Sequence, residues 1–383
     1  MDKTVERLDK RPFYHIWEAN LLYFLIAIGL MTVAAMAQRA NFYTGMVFTE
    51  YGLLLAPVIL MGFIGRVNMK EALSLKPLKP LHGLLIMVMG LLLLPTIMAV
   101  NYFVIWLLSF SDKVVLPEIP TAQNTGEFIF LFFIISISAG LCEEFFFRDM
   151  VLNAYSHGIN KKWGILLSGI SFGVFHFDMQ RLLGTMILGI VFAYLVEITG
   201  SIWSAVIAHM TNNGIAVLLS YGATRVLQAL PQEQMEAQMA QSEQMLSNPG
   251  LMLTNTLVSA VLAAICLIPV YMILKKIKDD LNPYEPGSTF TVKGVDYLVL
   301  DNYNDSVLAI QSQLVDQDPD NLPEDKKRHV TFSKLKALGA SRKGLLWNND
   351  KPKPQKFMHY LPWLGVIGLY GYYVVRHLSY VKG

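Results

Sequence analysis

Long apolar runs separated by short polar segments dominate the first 274 residues of the chain. A helix needs about 20 mostly apolar residues to cross the roughly 30 Å hydrocarbon core of a bilayer. Eight runs come close to that length, at approximately residues 20–37, 47–65, 83–108, 128–150, 164–179, 182–197, 200–222 and 251–274. The pattern therefore predicts an all-α fold, a polytopic membrane bundle of about eight transmembrane helices.

The sequence after residue 274 has a different character. Residues 275–357 are rich in Pro, Asp, Asn and Lys, with one strand-like piece from Val292 to Leu300, and we expect them to form a polar cytosolic tail. An uncharged run within residues 358–383 fits either an additional span or a segment at the membrane surface. The predicted domains are therefore a transmembrane bundle over residues 1–274, the polar tail, and this final membrane-associated segment.

The composition supports a membrane location for the first of these parts. The chain is 54% hydrophobic and 16% charged, against roughly 25% charged residues in an average soluble domain. Of its 60 charged side chains, 26 lie between Lys275 and Lys356. The formal net charge of +2 gives no reason to expect a nucleic-acid partner. The lipid bilayer is the first partner that the sequence predicts.

Lysine and arginine are distributed unequally between the two sides of the predicted bundle. With the N-terminus in the cytosol, the inner loops hold fourteen of these residues and the outer loops hold four. Because cytoplasmic loops carry an excess of Lys and Arg, we expect an integral membrane protein with a cytosolic N-terminus. Its location is the plasma (inner) membrane if the organism is prokaryotic. The first apolar run lacks a small-residue cleavage site, so we expect it to stay in the mature protein.

Ionisable residues interrupt the fourth apolar run. Such a residue at the bilayer centre costs about 2.5–3.5 kcal/mol on insertion scales, so it needs a partner or a function. In the sequence Glu143-Glu144-Phe-Phe-Phe-Arg148, Glu144 and Arg148 are four residues apart and share one helix face. We expect Arg148 to neutralise Glu144 as structural support. Glu143 has no partner nearby in the sequence and is the candidate for chemistry.

Two histidines within the predicted spans complete a set of polar groups. His176 ends the sequence Phe172-Gly-Val-Phe-His, and His209 precedes Asn213 by one helical turn on the same face. At a rise of 1.5 Å per residue, Glu143 reaches the depth of both histidines only if its helix continues to about Tyr155. This concentration of polar side chains in three spans indicates a functional site.

The same residue types leave the role of a metal open. Glu143, His176 and His209 could supply three ligands to a divalent metal such as zinc, with an open position for water. The His-Glu-x-x-His arrangement of zincins, however, is absent from the chain. The sequence favours a glutamate-activated water slightly over a metal.

Three motifs resemble those of the CAAX-protease and bacteriocin-processing (CPBP) family of intramembrane proteases, which includes the type II CAAX prenyl endopeptidases: Glu143-Glu144-x-x-x-Arg148, Phe172-x-x-x-His176 and His209-x-x-x-Asn213. The order, spacing and placement of the motifs in apolar runs make the set specific. The resemblance covers roughly residues 125–220. It implies an intramembrane endopeptidase for a membrane-associated or lipidated peptide or protein, and it leaves open whether the substrate is prenylated.

The resemblance also implies a role for each matching residue. In the family, the residues that match Glu143 and His176 are thought to activate a water that attacks a peptide carbonyl. Those that match His209 and Asn213 are thought to bind the oxyanion, and preorganised donors of this kind stabilise the charge that develops there.

Two other classes of function compete with a protease. One is a catalytically inert immunity or scaffold protein of the same architecture, and the other is a transporter with a polar relay at the membrane midplane. The intact set of four candidate residues argues against the inert protein, and no internal repeat supports the transporter.

Overall fold

The computed structural model of the chain describes residues 13–68, 73–110, 121–281, 289–302, 306–311, 326–331, 341–343 and 355–380. The chain divides into two compact units, Met1–Lys275 together with Pro352–Gly383, and Lys276–Lys351. Parts of the predicted polar tail and residues 381–383 of the predicted final segment lie outside the described residues.

Seven of the described helices are long and apolar enough to cross a membrane. Numbered in chain order with the others, they are α1 Ile16–Ala40, α2 Phe42–Ile64, α3 Pro80–Ser109, α4 Thr125–Gly158, α6 Leu182–Thr199, α7 Ile202–Gln228 and α9 Pro249–Leu281. Also described are α5 Lys161–Phe175, α8 Gln232–Ser247 and α10 Leu361–Tyr380, which follows a short 3-10 helix, Phe357–Tyr360. The predicted polytopic helical bundle is confirmed.

Stretches of π-helix interrupt the long helices of the bundle. They cover Leu30–Ala34, Phe48–Leu55, Phe132–Ser138 and Phe145–Leu152. Short π-helical pieces within α-helices occur frequently at functional sites, and two of these four flank the segment of α4 that contains Glu143 and Glu144. Helix α4 continues through Arg148 to Gly158, as the depth argument predicted.

The fifth predicted span forms the shorter helix α5, of 15 residues. The side chain of Asn160 caps its first turn. The helix ends before residue 179 because Phe177 has a left-handed backbone conformation, with φ of 47°. The carboxylate of Asp178 then accepts hydrogen bonds from the backbone N–H groups of Gln180 and Arg181, which starts α6 at once. The predicted tight hairpin is present, although α5 is short for a full span.

Helices α5 and α6 approach each other at the level of their backbones. A Cβ atom at Gly189 of α6 would lie 2.9 Å from the Cα atom of Gly169 in α5. A Cβ atom at Gly173 of α5 would lie 3.0 Å from the carbonyl oxygen of Leu182. Small residues allow helices to pack this closely in membranes. The glycines therefore join α5 and α6 into one tightly packed hairpin.

The second unit contains a five-stranded antiparallel sheet, which the sequence analysis did not predict. Lys293 and Gly294 both have positive φ, as the tight turn of a two-residue hairpin requires. The predicted strand-like piece is therefore a turn with parts of two strands, and Phe290 and Val299 are buried in a small core. The strand order is β4-β3-β2-β1-β5, with β1 Thr289–Val292, β2 Val295–Asn302, β3 Ser306–Gln311, β4 Arg328–Thr331 and β5 Ser341–Lys343.

Helix α10 belongs to the first unit and packs against α1 and α5. Val366 is fully buried, and Gly365 lies directly against the ring of Phe24. The uncharged run near the C-terminus is therefore a helix attached to the bundle, although it is not one of the seven candidate spans among the described residues.

The charge asymmetry of the loops predicts the orientation of the bundle. In a background in which Cys142 and Cys266 are alanine, we expect Ser242→Cys, in α8, to react with an impermeant maleimide in intact cells. We expect Ser74→Cys, in the loop before α3, to react only after the cells are permeabilised. The reverse labelling pattern would show that the N-terminus lies outside.

Candidate active site

Glu143 of α4 and His176 at the end of α5 face each other. Their Oε2 and Nε2 atoms are 3.8 Å apart. Glu143 is buried, whereas the side chain of His176 is 34% exposed. A carboxylate oxygen that accepts no hydrogen bond from the described residues is thus placed beside an imidazole at an opening in the bundle. The structure brings together the two residues that the sequence nominated for water activation.

The other nitrogen of His176 fixes which ring atom points at Glu143. Nδ1 lies 2.7 Å from the carbonyl oxygen of Phe172. Because a carbonyl oxygen only accepts, Nδ1 carries the proton and Nε2 presents a lone pair toward Glu143. Two acceptors separated by more than 3.5 Å leave room for a bridging water that donates one hydrogen to each.

Glu144 joins two functional groups inside the bundle. Its Oε2 lies 2.9 Å from Nε of Arg148, and both side chains are fully buried. Its Oε1 accepts a hydrogen bond from Nδ1 of His209 at 2.8 Å. The predicted pair of Glu144 and Arg148 is present, and Glu144 also orients a histidine from a helix 65 residues further along the chain. This second contact was not predicted.

Asn213 lies one turn after His209 in α7, as expected, and its amide is already engaged. Its Nδ2 group donates to the carbonyl oxygen of Ile135 at 2.9 Å and contacts Nε2 of His209 at 3.0 Å. Since Nδ1 of His209 donates to Glu144, Nε2 is the acceptor in the second contact. Hydrogen bonds therefore connect Glu144 through His209 to Asn213, and Arg148 joins them through its ion pair with Glu144.

Phe172 is the apolar centre around which the charged groups are arranged. Its ring lies 4.9 Å from the ring of His176 and 5.6 Å from that of His209. The guanidinium carbon of Arg148 lies 4.7 Å from the centre of the same ring, which gives a favourable cation–π interaction. Phe192 stacks on the opposite part of His209, at 5.3 Å. Phe172 therefore supports the site by packing against both histidines and Arg148.

The predicted trio of metal ligands does not fit a metal site in this arrangement. Both ring nitrogens of His209 are occupied, one by Glu144 and the other by Asn213. Within the described part of the chain, no three His, Cys, Asp or Glu side chains are grouped so that they could hold a metal ion. Coordination by Glu143, His176 and His209 would require His209 to break a buried hydrogen bond.

Three buried ionisable residues near or within the spans add to those that sequence reasoning singled out. Glu50 of α2 is 3% exposed. His82 is buried in the first turn of α3. Asp149 is fully buried, and neither of its carboxylate oxygens has a hydrogen-bond partner among the described residues. The signal for Glu50 was available, since it is an acid inside an apolar run.

The contacts of Arg148 predict a structural role that can be measured. Arg148→Ala leaves the buried carboxylate of Glu144 without its cation, and breaking such a pair costs on the order of 3–5 kcal/mol. We expect much less folded protein and a lower unfolding temperature in detergent. Arg225→Ala, which removes an exposed arginine of α7, is the matched control and should change neither. An Arg148→Ala protein that melts like wild type and yet fails to act on substrate would instead place Arg148 in the chemistry.

Comparisons with known proteins match the segment of the chain that contains this site. Residues 125–215 match the model of the family described as type II CAAX prenyl endopeptidase Rce1-like. The protein named "Putative membrane peptidase YdiL" of Bacillus subtilis (strain 168) is 31% identical over 90 residues, which are 24% of this chain and 37% of that relative. The match therefore covers less than two thirds of the relative's length. No solved structure matches the chain. The family resemblance indicated by the three motifs is therefore confirmed for residues 125–215, the segment that holds Glu143, His176, His209 and Asn213.

Proposed function

We propose that this protein is an intramembrane endopeptidase that hydrolyses a peptide bond of a membrane-associated or lipidated peptide or protein. The observation that carries the proposal is the 3.8 Å approach of the carboxylate of Glu143 to Nε2 of His176. The match of residues 125–215 to a family of prenyl endopeptidases supports peptide hydrolysis at the level of the family.

Glu143 and His176 together bind and activate the attacking water. The water donates one hydrogen to Oε2 of Glu143 and the other to Nε2 of His176, which directs a lone pair of its oxygen toward the substrate carbonyl. Glu143 removes the first proton as the oxygen–carbon bond forms. A positioned base of this kind contributes typically 10²–10⁴-fold to the rate.

Asn213 stabilises the oxyanion of the tetrahedral intermediate. One hydrogen of its amide stays on the carbonyl of Ile135, which fixes the orientation of the group. The second hydrogen leaves Nε2 of His209 and binds the oxyanion. Before substrate binds, His209 holds the amide in place. Nδ1 of His209 donates its proton to Glu144, so Nε2 of the same ring accepts from the amide of Asn213. Glu143 then passes the proton taken from water to the leaving amine nitrogen as the carbon–nitrogen bond breaks.

The substrate class follows from where the residues lie. Glu143 is in a helix with the length and composition of a membrane span, so the scissile bond has to enter the bundle. A lipid attached to the peptide would bring that bond to the membrane. An assay with one peptide sequence, with and without a farnesyl group on its cysteine, distinguishes recognition of the lipid from recognition of the peptide alone.

The first prediction from this mechanism concerns Glu143. Glu143→Gln keeps the shape of the side chain and removes its basicity, so kcat should fall by at least roughly 10²-fold while the protein remains folded. The measurement is cleavage of the peptides by purified protein in lipid. Glu127→Gln, a half-buried position near the start of the same helix, is the matched control and should cleave like wild type.

Two outcomes separate the competing functions. Cleavage by Glu143→Gln at the wild-type rate would show that Glu143 is not the base. Lack of cleavage by the wild-type protein on every peptide tested would favour the inert scaffold of the same architecture.

The second prediction distinguishes a donor at Asn213 from a metal ligand. Loss of an oxyanion donor costs roughly 10²–10³-fold in kcat, so Asn213→Ala should show this loss with little change in KM. Asn213→Asp should be at least as impaired, because an ionised carboxylate only accepts hydrogen bonds and would face the carbonyl of Ile135.

The neighbouring Asn212 provides a control from the same turn, since its side-chain nitrogen has no hydrogen-bond partner among the described residues. Asn212→Ala should retain the wild-type kcat, and a chelator should change none of these rates. Nearly normal cleavage by Asn213→Asp that chelator abolishes and added metal restores would contradict the oxyanion role.

A further inference from the structure

His176 depends on a turn whose backbone conformation is unfavourable for its sequence. The helix α5 ends at Phe175 with His176 as its C-cap, and the next residue, Phe177, has φ of 47°. Left-handed conformations are common for glycine and asparagine at this position, whereas a bulky aromatic residue is unusual there. Because the side chain of His176 is 34% exposed, contacts of the imidazole with its neighbours fix its position only in part. The neighbouring residues must keep this turn in place.

Helix α10 supplies aromatic contacts to the turn. The ring of Phe177 is 6.1 Å from that of Tyr370, nearly parallel to it, and 6.0 Å from that of Tyr373, edge to face. These two tyrosines are three residues apart and share a face of α10. Phe177 is only 9% exposed, and these two tyrosine rings are among the side chains packed against it. Such aromatic pairs favour one ring arrangement, and they thereby oppose a change of the backbone at Phe177.

A second contact from α10 reaches the same end of α5. Nε1 of Trp363 donates to the hydroxyl oxygen of Ser171 at 2.8 Å, and the backbone oxygen of Ser171 accepts from the hydroxyl of Tyr23 in α1, also at 2.8 Å. Ser171 immediately precedes Phe172, whose carbonyl receives the Nδ1 proton of His176. The segment from Ser171 to Phe177 is thus held at both of its ends by residues outside the family match.

The segment before α10 is attached to the helix that carries Glu143. Nδ2 of Asn20 donates to the carbonyl oxygen of His359 at 2.7 Å. The hydroxyl of Tyr155, near the end of α4, donates to Oδ1 of the same asparagine at 2.7 Å. One continuous C-terminal segment therefore contacts α5 directly and α4 through Asn20. It connects the elements that contain the two residues proposed to hold the attacking water.

We propose that the C-terminal helix α10 is a working part of the protease site, in which Trp363, Tyr370 and Tyr373 are positioning residues that hold His176 against Glu143. This inference rests on the proposed function. It assigns a role to residues 361–380. This segment begins about 145 residues beyond the end of the family match, which covers residues 125–215. Its consequence is that residues 125–215 need α10 for full activity.

The test replaces the two tyrosines with leucine, Tyr370→Leu together with Tyr373→Leu, in the full-length protein. A small misplacement of a catalytic group can cost about 10²-fold, so we expect kcat to fall by roughly 10- to 10²-fold with KM nearly unchanged. Tyr372→Leu is the matched control, because Tyr372 is on the same helix and 58% exposed. It should cleave like wild type. A double variant with the wild-type kcat, in a preparation that cleaves normally, would overturn the proposal while leaving the proposed function intact.

A double-mutant cycle asks whether the tyrosines act through Phe177. Phe177→Gly removes the ring and allows the left-handed conformation without strain, so the tyrosine substitutions should lower kcat much less in this background than in the wild type. Equal losses in the two backgrounds would show that α10 does not act through the turn, and would overturn the assignment.

A measurement without substrate separates this proposal from the failure of the proposed function. Hydrogen–deuterium exchange of the segment from Ser171 to Arg181 should be faster in the double tyrosine variant than in wild type and in Tyr372→Leu. If exchange rises but no protein cleaves any peptide, the contact of α10 with the turn is supported and the proposed function fails. If exchange is the same in all three proteins, the positioning role is wrong whatever the cleavage rates are.

Discussion

The ion pair of Glu144 and Arg148 is the interaction on which the rest of the site depends. Removing two charges from water is costly, and their mutual attraction offsets this cost only when the geometry is good and the remaining polar atoms find partners. In this protein the second oxygen of Glu144 binds His209, and the guanidinium of Arg148 lies against the ring of Phe172, whereas its three nitrogens have no hydrogen-bond partner among the described residues. The pair therefore fixes a histidine of α7 and an aromatic residue of α5 relative to α4. Glu143, the residue proposed as the base, takes no part in this ion pair.

The local parts of this arrangement were predictable from the sequence. Glu144 and Arg148 are four residues apart, as are His209 and Asn213, and the periodicity of a helix is enough to place each pair on one face. The continuation of α4 past Arg148 followed from the rise per residue. The contact between His209 and Glu144 could not be predicted in the same way, since it depends on how α7 packs against α4. For the same reason, the sequence placed Asn213 in a cavity but could not show that the carbonyl of Ile135 fixes its amide.

The limits of the fold prediction have similar physical causes. The apolar pattern identified the bundle because lipid-facing helices need long uncharged runs. The apolar pattern overestimated the length of α5. Glycine usually marks a helix end with a left-handed residue, but in this chain that residue is the phenylalanine Phe177. The sheet of the second unit was missed because its strands are short, and Lys293 and Gly294 form a turn inside what resembled one continuous strand.

The glycine contacts between α5 and α6 restrict how a peptide can enter the site. At Gly169 of α5 and Gly189 of α6 the two backbones approach directly, and the side chains of Ile190 and Phe172 are packed beside the contact. The backbones of α5 and α6 therefore leave little space between them at this level, so under the proposed function a peptide does not pass between these two helices. If the protein cleaves a membrane-associated peptide as proposed, that peptide reaches His176 across a boundary of the bundle other than the one between α5 and α6.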